Sequence, residues 1–199
     1  MKNDADELAA IRRLMTDAQR SIEDDGRHFL LWGLVTIIGL VATWVAIRWR
    51  LPAHWLWLTW AGLIAAGSVL ALRWARRGRA RAAVRSIAGS LVADIWAGVS
   101  IGLGILVFAG AASGSIAPAA TSGVVAALLG VGAFASSSVY RQLPLRAMAL
   151  VWWAGAAVML LWPGMYTILL MAALVLALLV APAAVLRARA RDAARPEPT

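Results

Sequence analysis

The sequence contains no cysteine, and only 15% of its 199 residues are charged. Without cysteine the chain forms neither a disulfide nor a thiolate metal site. A soluble domain of ordinary composition carries about a quarter charged residues, so the scarcity of charge argues against a soluble protein. The sequence also lacks a Walker loop, a nucleophile elbow and a dinucleotide-binding fingerprint. We therefore predict no enzymatic activity, no metal site and no cofactor.

Long apolar runs dominate the rest of the chain: 62% of the residues are hydrophobic, and the mean hydropathy is +0.76. A helix needs about 20 apolar residues to cross a hydrocarbon core of about 30 Å. Strands of a membrane barrel would alternate apolar and polar residues, and these runs do not. The sequence predicts an all-α, polytopic transmembrane bundle of six helices, at about residues 29–47, 53–72, 91–112, 117–140, 146–162 and 166–186.

Short turns connect the predicted helices in pairs, and each turn contains a proline, which ends one helix or starts the next. The turns contain Pro52, Pro118 and Pro163. They predict three hairpins within a transmembrane domain at residues 28–186. An amphipathic cytoplasmic helix at residues 1–27 is expected before this domain, and a basic, disordered tail at residues 187–199 after it. The fourth run is the most interrupted by serine and threonine, and a re-entrant segment there would redraw the topology that follows.

The distribution of Lys and Arg predicts the orientation, because positive residues in short loops stay on the cytoplasmic side. With the N-terminus inside, 17 of the 19 positive residues are cytoplasmic, and only Arg48 and Arg50 lie outside. We predict a multi-pass protein of the bacterial inner membrane with both termini in the cytoplasm. This topology also explains the formal charge of +9, so no nucleic-acid binding is predicted.

Tryptophan and small residues have distinct predicted roles. Most of the eleven tryptophans flank predicted turns, where indole rings anchor a helix at the headgroups; an aromatic ligand site is the alternative. Small residues spaced four apart allow close helix contact in lipid, so they predict packing faces within the chain or between copies. These pairs are Gly62 with Ala66, Gly98 with Gly102, Ser100 with Gly104, and Gly132 with Ser136.

Asp94 is the only acidic residue in a predicted span. Charges inside a membrane are costly and usually functional, so one hypothesis is a proton-coupled carboxylate. The other is an interfacial carboxylate paired with an arginine such as Arg85 or Arg146. The serines and threonines of the fourth run either line a polar path or bond to the carbonyl one turn back or to a neighbouring helix.

Two cytoplasmic segments are predicted to meet partners. An apolar stripe with spacings of three and four predicts an amphipathic helix that needs a partner protein, a second copy, the bundle or the lipid surface. It consists of Leu8, Ile11, Met15, Ala18 and Ile22. A basic stripe after the second run predicts contact with anionic lipid headgroups or with the acidic N-terminal helix, or serves topology alone. It consists of Arg73, Arg77, Arg81 and Arg85.

At the first membrane entry, the charged segment I-E-D-D-G-R runs into H-F-L-L-W-G at residues 28–33. This stretch resembles the start of small, uncharacterised bacterial integral membrane proteins with an N-terminal cytoplasmic helix. The resemblance covers the N-terminal region alone and implies a fold and a membrane location, but no activity and no site residue. We expect a non-enzymatic assembly or regulatory component that uses its cytoplasmic helix and basic loop. The alternative is a small transporter or channel with Asp94 as the coupling carboxylate.

Overall fold

A computed structural model describes residues 27–79 and 87–185 of the chain. Throughout these ranges the regular structure is helical, and six helices are long and apolar enough to cross a membrane. The prediction of an all-α protein with six such helices is therefore confirmed. Some predicted features lie outside the described residues: the apolar stripe from Leu8 to Ile22, Arg81 and Arg85 of the basic stripe, and the tail at residues 187–199.

The helices are labelled in chain order. Helix α1 is Arg27–Arg48, α2 is Ala53–Arg79, α4 is Pro118–Tyr140 and α5 is Leu143–Leu161. Helix α3 is Ile87–Gly104 and continues through a π-helical turn, Ile105–Ala109, into Gly110–Ala112. Helix α6 is Tyr166–Val175 and continues through a second π-helical turn, Leu176–Val180, to residue 185. Helix α4, from the most interrupted run, is continuous and long enough to cross.

The helix ends follow from local backbone chemistry. Helix α5 begins three residues before its predicted start because Pro144 is tolerated in the first turn, where a helix needs no N–H donor. Helix α4 ends at Tyr140, and the next residue, Arg141, has a left-handed backbone with φ of 52°. The N–H groups of Arg141 and Gln142 both donate to the carbonyl of Ser137, so this left-handed cap satisfies a carbonyl of the last helical turn. Helix α2 continues past its apolar run to Arg79.

The best-covered core lies among α1, α4, α5 and α6. Helix α4 contributes small residues at spacings of three and four, and α5 contributes larger side chains that fill the space above them. The Cβ that alanine would add at Gly130 would lie 2.4 Å from Nε1 of Trp153, so only glycine admits this ring in its present position. The Trp153 indole N–H donates to the carbonyl of Ala127 at 3.1 Å. Fully or nearly fully buried residues here are Ala126, Ala133, Ala149, Trp152, Met159, Met171 and Val175.

Helices α2 and α3 are covered far less. Only 6% of the apolar window in α2 and 11% of that in α3 is buried, compared with 33% in α4. Helix α2 contacts α1 where the Trp60 ring lies over Gly39 and the Trp60 indole N–H donates to Oγ1 of Thr43 at 3.1 Å. It meets α3 where the rings of Trp57 and Phe108 contact each other at a tilt of 35°, with centroids 5.8 Å apart. The two helices are therefore peripheral, and their outer faces are open in the described structure.

Candidate functional site on the open face of the third helix

Asp94 lies on the exposed side of α3. It is seven residues from the helix start, which corresponds to about 10 Å along the axis at 1.5 Å per residue. Gly98 and Ile101 follow at four and seven residues and share its helix face. Gly98 is exposed, and Ile101 is 65% exposed. The structure thus places the only carboxylate of the described residues on an uncovered helix face, defined here as the α3 open face: Asp94, Gly98, Ile101, Gly102 and Ile105.

The glycines of this face contact no other helix in the described structure. A Cβ added at Gly98, Gly102 or Gly104 would meet nothing within 4 Å, and the same holds at Gly62 of α2. By contrast, Gly132 on α4 lies against Val99 and Trp96 of α3, with the nearest atom 3.2 Å from a built Cβ. The predicted small-residue faces therefore divide into two kinds. The face with Gly132 packs in the α3–α4 contact, and the faces on α2 and α3 stay uncovered.

The hydroxyl groups of α4 bond to their own helix. Ser136 donates to the carbonyl of Gly132 at 2.8 Å, and Ser137 donates to that of Phe134 at 2.6 Å. Thr121 donates to the carbonyl of Ala117 at 3.4 Å. Ser136 and Ser137 are buried, whereas Asp94 is exposed on α3. The structure thus does not bring Asp94 and these serines onto one shared surface.

Trp96 is a feature that the sequence interpretation missed. Its indole Nε1 is buried and has no hydrogen-bond partner among the described residues, and its ring meets Phe29 edge-on with centroids 5.7 Å apart. A buried N–H without an acceptor is costly. At Trp96 the packing of the ring therefore outweighs the loss of a hydrogen bond to its indole N–H. The signal was available, since Val92, Trp96 and Val99 recur at spacings of four and three and form the inward side of α3.

Besides Arg48 and Arg50 of the α1–α2 turn, most basic residues of the described structure form two groups. In the predicted basic stripe, Arg73 is exposed on α2, and Arg77 falls within the same helix. The second group is at the α4–α5 turn, where Arg141 and Arg146 line a cleft of about 280 Å³. A smaller, mostly apolar cleft of about 190 Å³ lies between α1 and α2 beside Trp55 and Trp60. Within the described ranges no three His, Asp or Glu side chains come together.

No family model, curated protein or solved structure matches this chain. The N-terminal resemblance at residues 22–33 therefore stays a prediction.

Proposed function

We propose that this protein is a non-enzymatic, multi-pass component of a bacterial inner membrane that assembles with, or regulates, a membrane partner. The α3 open face supports this proposal most directly. Contact with the partner would be shared between this face in the membrane and the N-terminal helix with the basic stripe in the cytoplasm. Both termini would then be cytoplasmic, in agreement with the placement of 17 of the 19 positive residues on one side.

Contacts between consecutive helices support the pairing of six spans into three hairpins. Trp60 on Gly39 joins α1 and α2, Gly132 against Val99 joins α3 and α4, and Gly155 against Leu174 joins α5 and α6. In α1 and α2 the contacts run antiparallel, because Gly39 lies against Trp60 while the earlier Val35 lies against the later Gly67. A reporter fusion at Ser115 should be active only in an extracytoplasmic assay, and one at Ala80 only in a cytoplasmic assay. Cytoplasmic activity at Ser115 would refute this topology.

Two properties of the α3 open face suit it to contact with a partner helix. Lipid tails are as apolar as leucine, so helices in a membrane associate through close backbone contact, for which exposed glycines four apart are suited. Asp94 adds a charge that costs roughly 2.5–3.5 kcal/mol at the centre of a bilayer, and less near the headgroups. A neighbouring helix that offers a basic or hydroxyl side chain at the depth of Asp94 would lower this cost while packing on Gly98 and Gly102.

The experiment is purification of the full-length protein from its membranes in mild detergent. Wild type should elute as a complex of fixed stoichiometry, with a mass above that of the monomer. Replacing both Gly98 and Gly102 with leucine should dissociate the complex while the monomer remains folded. The matched control replaces Ala154 and Ala157, two exposed residues of α5, with leucine, and it should leave the complex intact.

Deletion of residues 1–22 provides an independent arm of the same experiment. If the N-terminal helix contributes, its loss should weaken the complex without changing the monomer. A monomer in wild type, or equal dissociation in the glycine and alanine variants, would contradict the proposal.

The alternative function, proton-coupled transport, is supported by Asp94 being the only carboxylate of the described residues. It predicts proton-linked flux in liposomes that contain this protein alone, abolished by Asp94→Asn. Such a flux would contradict the assembly proposal and support the transport function. The assembly proposal expects no flux from the isolated protein, and it expects Asp94→Asn to weaken only the complex.

A further inference from the structure

The turn between α4 and α5 contains a cleft that the proposed assembly function does not use. We call it the arginine cleft; it is lined by Ser138, Arg141, Gln142, Leu143 and Arg146 and has a volume of about 280 Å³. Small-molecule sites usually measure about 300–1,000 Å³, so this cleft has room for a headgroup but not for a whole lipid. Three of its five lining residues offer side-chain N–H donors.

The charge in the arginine cleft is uncompensated within the described structure. Neither Arg141 nor Arg146 forms an ion pair or side-chain hydrogen bond with a described residue, and both are exposed. Ser138 donates its hydroxyl proton to the carbonyl of Phe134 at 3.3 Å, so the remaining donors are the two guanidinium groups and the Gln142 amide. Guanidinium groups form short, charge-assisted and often bidentate hydrogen bonds with phosphate oxygens. The donor set is therefore that of a phosphate site.

The backbone fixes the position from which the Arg141 side chain extends. Arg141 is at the left-handed position that follows α4, where glycine is the usual residue because it has no side chain to clash. The paired hydrogen bonds of Arg141 and Gln142 to Ser137 hold this turn in place. Arg146 is one turn into α5 and lines the same cleft.

An exposed apolar strip continues from the arginine cleft into the membrane-spanning part of α5. Leu143, Ala147 and Leu150 share one helix face, and the two leucines are 75% and 61% exposed. They span about 10 Å along the helix at 1.5 Å per residue. A charged recess above an apolar strip matches a molecule with an anionic head and acyl chains. Inorganic phosphate would use the recess only, so the strip favours a lipid.

We propose that the arginine cleft binds the phosphate of an anionic phospholipid, with the acyl chains along Leu143, Ala147 and Leu150. By the proposed topology the cleft faces the cytoplasmic leaflet, whose anionic lipids attract basic residues near its surface. This site is separate from the predicted basic stripe of α2, and it does not depend on any protein partner.

The test is native mass spectrometry of the full chain, titrated in detergent with phosphatidylglycerol or with phosphatidylcholine. Wild type should bind phosphatidylglycerol more tightly, because choline places a positive charge beside the arginines. The cleft variant, Arg141→Gly with Arg146→Gln, should bind phosphatidylglycerol about tenfold more weakly, since two charge-assisted contacts are lost. The glycine keeps the left-handed turn favourable, so the variant should stay monodisperse.

The chain offers a closely matched control in the α1–α2 turn. Arg50 has the same left-handed φ of 52°, and Arg48 lies two residues before it. Arg50→Gly with Arg48→Gln removes the same charge with the same substitutions and should leave phosphatidylglycerol binding unchanged. An equal loss of phosphatidylglycerol affinity in this control would show that the effect depends only on net charge, and it would overturn the proposal. Wild-type affinity in the cleft variant would overturn it too.

Inorganic phosphate distinguishes the two sources of the ligand. In large excess it should leave the phosphatidylglycerol complex of wild type intact, and displacement of the lipid would make this a site for free anions instead. If the double variant aggregates, Arg146→Gln alone provides the measurement, because it changes an exposed helical position outside the turn. It should still weaken phosphatidylglycerol binding, and an unchanged affinity would overturn the lipid site.

Discussion

Helices α4 and α3 both carry small residues at helical spacing, yet they are packed very differently. In α4, Gly123, Ala126, Gly130 and Ala133 are all buried. In α3, Gly98 is exposed, and a side chain added at Gly98 or Gly102 would meet no described atom within 4 Å. Small residues therefore allow a neighbouring helix to approach closely, but they do not specify which helix that is. On α4 the neighbour is α5 of the same chain, and on α3 we propose that it is another protein.

The largest expected effect comes from breaking the packed side of this comparison with Trp152→Ala. Trp152 is 1% exposed, and its removal leaves a cavity in the core formed by α1, α4, α5 and α6. We expect a loss of about 3 kcal/mol, at the low end for a buried aromatic residue, because helices in a micelle keep apolar surroundings after they separate. SDS titration in mixed micelles, followed by circular dichroism, measures the change. Trp49→Ala, at a residue that is 74% exposed, should change stability by less than about 0.5 kcal/mol; equal losses would contradict the packing.

The same valine substitution on the two helices tests the comparison directly. Gly130→Val drives a side chain into the Trp153 ring and should cost about 2 kcal/mol through overpacking. Gly98→Val should leave the stability of the isolated chain unchanged or slightly raised, since valine has the better helix propensity by roughly 0.4 kcal/mol. Detergent unfolding of both variants measures the contrast. A loss at Gly98 as large as that at Gly130 would mean that the α3 open face is covered within the chain.

A stabilising substitution tests whether the turns, like the helices, differ between the well-packed and the lightly covered parts of the protein. Arg141→Gly relieves a left-handed backbone and should raise stability by about 1 kcal/mol when measured in lipid-free detergent. Arg50→Gly should give a similar gain, because the strain is local and independent of how well the adjoining helices pack. Arg141→Ala retains a Cβ and should give no gain. Thermal unfolding of the three variants checks this order, and a gain in the alanine variant would locate the effect elsewhere.

The smallest expected effect concerns the lightly covered side. Thr43→Val removes the acceptor for the Trp60 indole, the hydrogen bond that ties α2 to α1. Side-chain hydrogen bonds between membrane helices contribute about 0.6 kcal/mol on average, which is the loss we expect in detergent unfolding. Thr36→Val is the control, because the Thr36 hydroxyl bonds only to the carbonyl of Trp32 in its own helix. Equal losses in both variants would show that this contact contributes nothing specific.

The number and type of helices could be predicted from the sequence because hydrocarbon thickness sets the length of an apolar run. Pro118 and Pro163 marked turns correctly, since proline lacks the N–H that a helix interior requires. The early start of α5 was missed because Pro144 looks like a break unless it is recognised as a first-turn residue. The extension of α2 to Arg79 follows no hydropathy signal and depends on the helix propensity of its arginines and alanine.

The candidate site could be predicted only in part. Asp94 and Gly98 were found because charge and small size in an apolar run are visible as composition. Whether a neighbour covers them depends on how six helices are arranged, and single-helix periodicity does not contain this information. The arginine cleft was missed for a related reason. Arg141 was counted only as a topology determinant, and Arg146 was considered only for topology and as a partner of Asp94. The left-handed turn beside their shared cleft is a backbone property, and no glycine in the sequence indicates it.

The π-helical turn of α3 limits how far a partner can follow this helix. The N–H of Gly110 bonds to the carbonyl of Ile105, five residues back, so the turn holds one residue more than an α-helical turn. Every side chain after it is rotated by about 100° relative to an uninterrupted helix. The α3 open face, from Asp94 to Ile105, therefore extends along the helix for only roughly 16 Å, about half of the hydrocarbon thickness. A partner helix would be matched to this protein in one leaflet and free to diverge from it in the other.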